Sequence, residues 1–111
     1  MSRITTHILD TSKGKPAAGV KVILFQLTND WQLIGSDVTN KDGRITELPQ
    51  VENSTEKTIF KLKFETQEYF DENNTESFYP FIEITFAIQN EAHYHVPLLL
   101  NPFGYSTYRG S

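Results

Sequence analysis

The chain has 111 residues, a formal net charge of -4 at pH 7 and no cysteine. That length suits one domain with a single core. The lack of any Lys/Arg cluster excludes a phosphate-tracking nucleic-acid surface, and the lack of thiols excludes disulfides, thiolate metal sites and a cysteine nucleophile.

The opening segment, Met1 to His7, carries one basic residue and no apolar run, and no stretch of the chain has the length of a membrane span. The expectation is a cytoplasmic protein with no membrane partner. In that segment His7 shares a face with Thr5 and Leu9, while Ile4, Thr6 and Ile8 take the other. Val20 to Leu27 is almost wholly apolar or β-favouring and is bounded by Gly19 and by Thr28-Asn29-Asp30, so it reads as a strand with Trp31 to Val38 returning as its hairpin partner. Asn40-Lys41-Asp42-Gly43-Arg44 reads as a tight turn, because Asp-Gly readily supplies positive φ, and it delivers Arg44 to the start of the next segment.

Thr58, Phe60, Leu62 and Phe64 alternate with Ile59, Lys61 and Lys63, giving a strand with one apolar and one wet face. Thr66 to Asn73 is the one good helix candidate, with Thr66 as N-cap and Glu68 in the first turn. Pro80 to Gln89 alternates again, and in Ala92 to Leu100 the set Tyr94, Val96, Leu98 and Leu100 opposes His93, His95, Pro97 and Leu99. Many closely spaced strands with one short helix predict a mainly β fold, a two-sheet sandwich of Greek-key type.

The histidines lie at opposite ends of the sequence, at His7, His93 and His95. A strand histidine is most often a surface or hydrogen-bonded structural residue, so none carries weight alone. The tail is odder. Tyr105-Ser106-Thr107-Tyr108-Arg109-Gly110-Ser111 spends aromatics and an arginine where most chains fray; its plain structural reading is a last edge strand packed by Tyr105, with Arg109 in an ion pair.

Tyr108-Arg109-Gly110-Ser111 resembles the signature terminal tetrapeptide of the 5-hydroxyisourate hydrolases of the transthyretin-like family. Pro102-Phe103-Gly104-Tyr105-Ser106-Thr107, His95-Val96-Pro97-Leu98-Leu99-Leu100, Thr6-His7-Ile8-Leu9-Asp10-Thr11, Gly14-Lys15-Pro16-Ala17 and Thr39 to Arg44 are similar to the same family's blocks, so the resemblance spans the chain. Asn101 stands where the family has Ser, a conservative change at a turn position. Transthyretin shares the fold but lacks this tail and this histidine and arginine set, so the resemblance favours the enzyme over the hormone carrier.

The resemblance implies a transthyretin-like sandwich assembled as a homotetramer, a dimer of dimers with active sites at the dimer-dimer interface. It implies metal-independent, cofactor-free hydrolysis of 5-hydroxyisourate to 2-oxo-4-hydroxy-4-carboxy-5-ureidoimidazoline in urate degradation. Carried over by position, the catalytic residues are His7, Arg44 and His95, and the substrate-binding residues are His7, Arg44, Tyr108, Arg109 and Ser111; His93 matches no functional position. The chemistry is coherent from below. A neutral imidazole can take a proton from water attacking a carbonyl, and an always-charged planar guanidinium can orient the substrate and stabilise oxyanion charge. Which histidine acts as base stays open, as does adventitious zinc binding. The rival readings are a passive binding module of the same fold and an adhesive sandwich domain, neither of which needs His7, Arg44, His95 and the tail together.

Overall fold

In the computed structural model, which describes residues 1–111, ten elements follow one another. They are β1 (Arg3–Asp10), β2 (Lys15–Pro16), β3 (Lys21–Leu27), β4 (Trp31–Val38), β5 (Arg44–Ile45), β6 (Thr58–Phe64), α1 (Thr66–Glu72), β7 (Ile82–Ile88), β8 (His93–Asn101) and β9 (Gly104–Thr107). They form two sheets. One has the order β2-β1-β8-β9 with β5 also paired to β1, and the other has the order β4-β3-β6-β7. No helix is long and apolar enough to cross a membrane.

Alternation decides which faces meet. Phe60, Leu62 and Phe64 of β6 and Ile82, Ile84 and Ile88 of β7 turn inward against Ile4, Ile8, Val96, Leu98 and Leu100 of the facing sheet, in one core of 21 buried residues. Each large apolar side chain so buried contributes about 1.5–3 kcal/mol. The wet face of β6 is organised as well. Lys61 lies 4.3 Å from the Trp31 ring centroid and 3.1 Å from the Glu83 carboxylate, so its stem covers aromatic surface while its charge stays paired.

All strand pairs are antiparallel except one: β1 runs parallel to β8 over eight residue pairs, from Arg3↔His93 to Asp10↔Leu100. A parallel pair needs a long crossover, and here the crossover is the whole second sheet with its helix. The Asp-Gly turn expected before Arg44 is present, with Gly43 at φ +71. Asn40 Oδ1 accepts the backbone N–H groups of Asp42 and Arg44 at 2.9 and 3.1 Å, and Ile8 N–H donates to Gly43 O at 2.8 Å. The turn is thereby strapped to β1. A Cβ at Gly43 would sit 2.5 Å from Ile8 O, so only glycine permits this approach.

The helix forms where the pattern places it, but its cap differs from expectation. Thr66 is the first helical residue and Glu65 holds the cap position without a side-chain cap bond. The Glu65 carboxylate is instead 3.2 Å from Lys63 Nζ, and the Thr66 hydroxyl is buried with no partner. What anchors α1 is tertiary. Tyr69 OH donates to Asp10 Oδ2 at 2.7 Å, while Ser12 N–H and Oγ donate to Asp10 Oδ1 at 3.0 and 2.5 Å. Burial alone pushes the Asp10 carboxyl up, yet these donors outweigh it and hold Asp10 below the usual carboxylate range. Burial and the adjacent carboxylate drive the Tyr69 phenol well above its ordinary value.

Tyr69→Phe removes a hydrogen bond to a buried charged acceptor, which costs about 1.5–3 kcal/mol. Urea unfolding of this variant will show a lower midpoint with an unchanged slope; an unchanged midpoint would mean that Asp10 does not anchor the helix.

Candidate active site

The outer face of the β2-β1-β8-β9 sheet carries the polar residues that the sequence pattern set apart from the core. Registers place them in rows. Arg44 of β5 is paired with His7 of β1, and His7 with Pro97 of β8. In the next row Thr5 of β1 is paired with His95 of β8, and an isolated bridge adds Gly110 beyond it. Arg3 and His93 form the row after that. Paired residues in neighbouring strands project to the same side, so Arg44, His7 and His95 are gathered on one surface from three strands.

The tail is held there by Gly110, whose N–H donates to His95 O at 2.9 Å. This bridge keeps the register of the β8–β9 pairing, which ends at Thr107, so Tyr108 and Arg109 span the gap opposite Pro97 and Val96. Arg109 stacks 5.0 Å above the Tyr94 ring centroid and lies 3.9 Å from the Glu91 carboxylate. Tyr108 is exposed and Ser111 ends the described chain in solvent beside Gly110. Within one chain, therefore, Gly110 joins the histidines, whereas the Arg109 guanidinium turns away from them and Tyr108 lines the groove beside β7.

Pro97 shapes this edge. Lacking an N–H, it cannot complete the ladder opposite Tyr108, and its carbonyl accepts the Thr107 hydroxyl at 2.7 Å instead. The regular β8–β9 pairing runs only from Leu98↔Thr107 to Asn101↔Gly104 and resumes as the single bridge at His95. A Cβ at Gly110 would meet His95 Cδ2 at 2.6 Å and Pro97 Cγ at 3.1 Å, so the tail approaches the imidazole as closely as a backbone can.

Both imidazoles are half-buried and held below the ordinary value of 6.5. For His7 the causes are burial first and the Arg44 charge second, partly offset by Asp42 through its backbone and its charge. For His95 they are burial, then Arg44, His93 and His7. Both are thus neutral at pH 7, the form that accepts a proton. No three His, Cys, Asp or Glu side chains converge closely enough to hold a metal ion.

The rows also contain two residues to which sequence reasoning assigned no role. Thr5 Oγ1 is 2.7 Å from His93 Nε2 and 2.7 Å from His95 Nδ1. The only sequence signal was its position on the His7 face; the pairing that aligns it with His95 joins segments 90 residues apart. The largest groove, about 340 Å³, does not cover this surface. It opens between β7 and the tail, is lined by Ile84 to Ala87 with Tyr108 and Arg109, and touches the histidine set only at His95. The site proper is an open sheet face.

Residues 4–110 match the HIUase/Transthyretin family. The chain belongs to the HIUase/transthyretin family. A probable 5-hydroxyisourate hydrolase of Schizosaccharomyces pombe is 46% identical over 112 residues, covering 97% of this chain and 90% of that relative. The solved 5-hydroxyisourate hydrolase of Klebsiella pneumoniae superimposes with a TM-score of 0.87 at 39% identity, covering 100% of both chains. Sea bream transthyretin, solved in complex with thyroxine, superimposes with a TM-score of 0.88 at 29% identity, covering 96% of this chain and 93% of that one. The family's backbone thus serves proteins of both names, and the side chains on the outer face must distinguish them.

The lowered imidazole values have a pH signature. Near pH 6 the unfolded chain binds more protons at His7 and His95 than the folded chain does. Their contribution to stability is therefore complete above about 6.5, the unfolded value, and declines as pH falls from there through the folded values. NMR titration of the ring protons will place both midpoints below 6.5; a midpoint above that value for either ring would contradict the joint effect of burial and Arg44.

Proposed function

We propose that residues 1–111 form a single-domain 5-hydroxyisourate hydrolase acting in urate degradation. The observation that carries this reading is the convergence of Arg44, His7 and His95 on one face, with both imidazoles held neutral beside a fixed cation. Relatives that carry the hydrolase name at 39–46% identity support the same reading.

The chemistry follows from the side chains. The substrate is a flat, heteroatom-rich ring, which needs directed donors and acceptors more than apolar volume. A neutral imidazole, His95 or His7, takes the proton of the water that attacks the ring carbonyl. Negative charge then develops on the carbonyl oxygen, and the Arg44 guanidinium stabilises it while orienting the ring. An imidazole that has gained a proton can return it to the leaving nitrogen. Tyr108 and the terminal Ser111 supply further polar contacts to the ring. Arg109, which faces Glu91 and Tyr94 within its own chain, acts on substrate only across an assembly contact.

An open sheet face excludes water poorly, and hydrolysis under control needs a second surface over it. This supports a homotetramer, a dimer of dimers with sites at the dimer-dimer interface. The strands β7 and β9 each leave one edge free, and the exposed Tyr79, Phe81, Phe103 and Tyr105 lie on or beside them, giving each chain apolar surface for association.

The deciding experiment follows the ultraviolet band of freshly generated 5-hydroxyisourate with and without the protein. Wild type will remove it faster than spontaneous decay. His7→Ala and His95→Ala will fold and assemble but lose about 100- to 10,000-fold in kcat/KM, and Arg44→Ala about 100- to 1,000-fold. Near-full turnover by all three variants would sink the site, and background decay with wild type would leave the thyroxine-binding relative as the better guide. Gly110→Ala tests the tail by itself. It will reduce kcat/KM by about tenfold or more by displacing His95 from its working position, with little change in thermal midpoint; wild-type kinetics in this variant would show that the approach of tail to imidazole is incidental.

A further inference from the structure

We propose that Thr5 and His93 form a hydrogen-bonded relay that sets the tautomer of His95 and holds its proton during turnover. The inference rests on the reading of His95 as the base, and it concerns residues that this reading leaves idle.

Thr5 is 4% exposed, and its hydroxyl lies 2.7 Å from one nitrogen of each ring, Nε2 of His93 and Nδ1 of His95. The ring centroids are 6.3 Å apart and the planes are tilted by 48°, so the rings reach each other only through that hydroxyl. A hydroxyl has a single proton and cannot donate to both. When it donates to His93 Nε2, it accepts from His95 Nδ1–H, and the His95 lone pair is then on Nε2. That nitrogen adjoins Cδ2, the atom against which Gly110 is packed, so its edge of the ring faces the tail. The opposite arrangement puts a proton on Nε2 and removes the base. The tautomers of the two rings are therefore locked together by Thr5.

The same chain of bonds can move a proton without net change. As water attacks, its O–H bond breaks and Nε2–H forms on His95. The Nδ1 proton passes to Thr5 Oγ1, and the Thr5 hydroxyl proton passes to His93 Nε2. His95 is again neutral, now a donor at Nε2, and the positive charge rests on His93, which is exposed and hydrated. When Nε2–H is given to the leaving nitrogen, the two transfers through Thr5 reverse and the starting tautomers return. The charge is thereby moved away from Arg44 at the moment when a second cation beside it would be unfavourable. The other charged groups around the relay are Arg3 in register with His93, His7 and Asp42 beside Arg44, and Glu91 ahead of β8, paired with Arg109.

The test combines ¹⁵N NMR of the His95 ring with pH-dependent kinetics on 5-hydroxyisourate for wild type, Thr5→Val, Thr5→Ser and His93→Leu. Wild type will show His95 protonated at Nδ1. Thr5→Val will shift that proton to Nε2, lower kcat by about tenfold or more with KM within about twofold, and move the acid limb of kcat/KM to lower pH. Thr5→Ser will restore both tautomer and rate to within about threefold. His93→Leu, a change at an exposed position, will reduce kcat without unfolding the chain and covers the case in which Thr5→Val fails to fold. An unchanged His95 tautomer in Thr5→Val, or wild-type kcat in His93→Leu, overturns the relay. If wild type itself does not accelerate decay of the substrate, the functional reading fails, and the NMR arm still decides whether Thr5 couples the two rings.

Discussion

The parallel pairing of β1 with β8 is the constraint on which the rest depends. It sets the first strand beside the penultimate one over eight residue pairs, and only through it do residues from the two ends of the chain share a surface. The buried sides of both strands, Ile4, Ile8, Tyr94, Val96, Leu98 and Leu100, carry the energy of that pairing. A slip of one residue would turn this apolar set outward and the histidines into the core. Core packing is therefore also what aligns Thr5 with His95 and His7 with Pro97. The site costs little extra organisation because its register is the register of the core.

Around that pairing, three local devices refine the outer face. The Gly43 turn, strapped to Ile8, lays Arg44 against His7 and brings a permanent cation to two imidazoles. Pro97 interrupts the last ladder, and the tail rejoins at Gly110, close against His95. Asp10, Tyr69 and Ser12 tie the end of β1 to the helix, so the strand that presents Thr5 and His7 is anchored beyond them. Burial and a fixed charge act in the same direction on both rings and keep them neutral. That protonation state suits proton abstraction at neutral pH and ill suits a stable ion pair, which argues for chemistry over structural cohesion at this face.

Much of this was readable residue by residue. An apolar run between turn residues predicts β3 with β4 as its hairpin partner, and alternation predicts β6, β7 and β8, each within a residue or two. Alternation also separates Tyr94, Val96, Leu98 and Leu100 from His93 and His95 correctly. The helix lies where the pattern predicts it, but Glu65 rather than Thr66 holds its cap position, because the Lys63 to Glu65 ion pair and the burial of Thr66 arise from packing that local propensity does not register. Arg109 stands between Tyr108 and Gly110 in the tail motif, but its partners within one chain, Tyr94 and Glu91, follow from packing that the motif does not state.

Composition and spacing by themselves determined a mainly β sandwich with one short helix, the inward and outward faces of its strands, a tight turn before Arg44 and the residue types able to run a hydrolysis. These follow from side-chain period and turn chemistry, which are local. Which outward residues meet was decided only by the tertiary structure. The partner of β1 lies some 90 residues away, and nothing in either segment names the other or states that the two run parallel. The Thr5 hydroxyl between His93 and His95 exists only once that pairing has formed, because a hydrogen bond across strands depends on register, and register is set by the packing of the whole core.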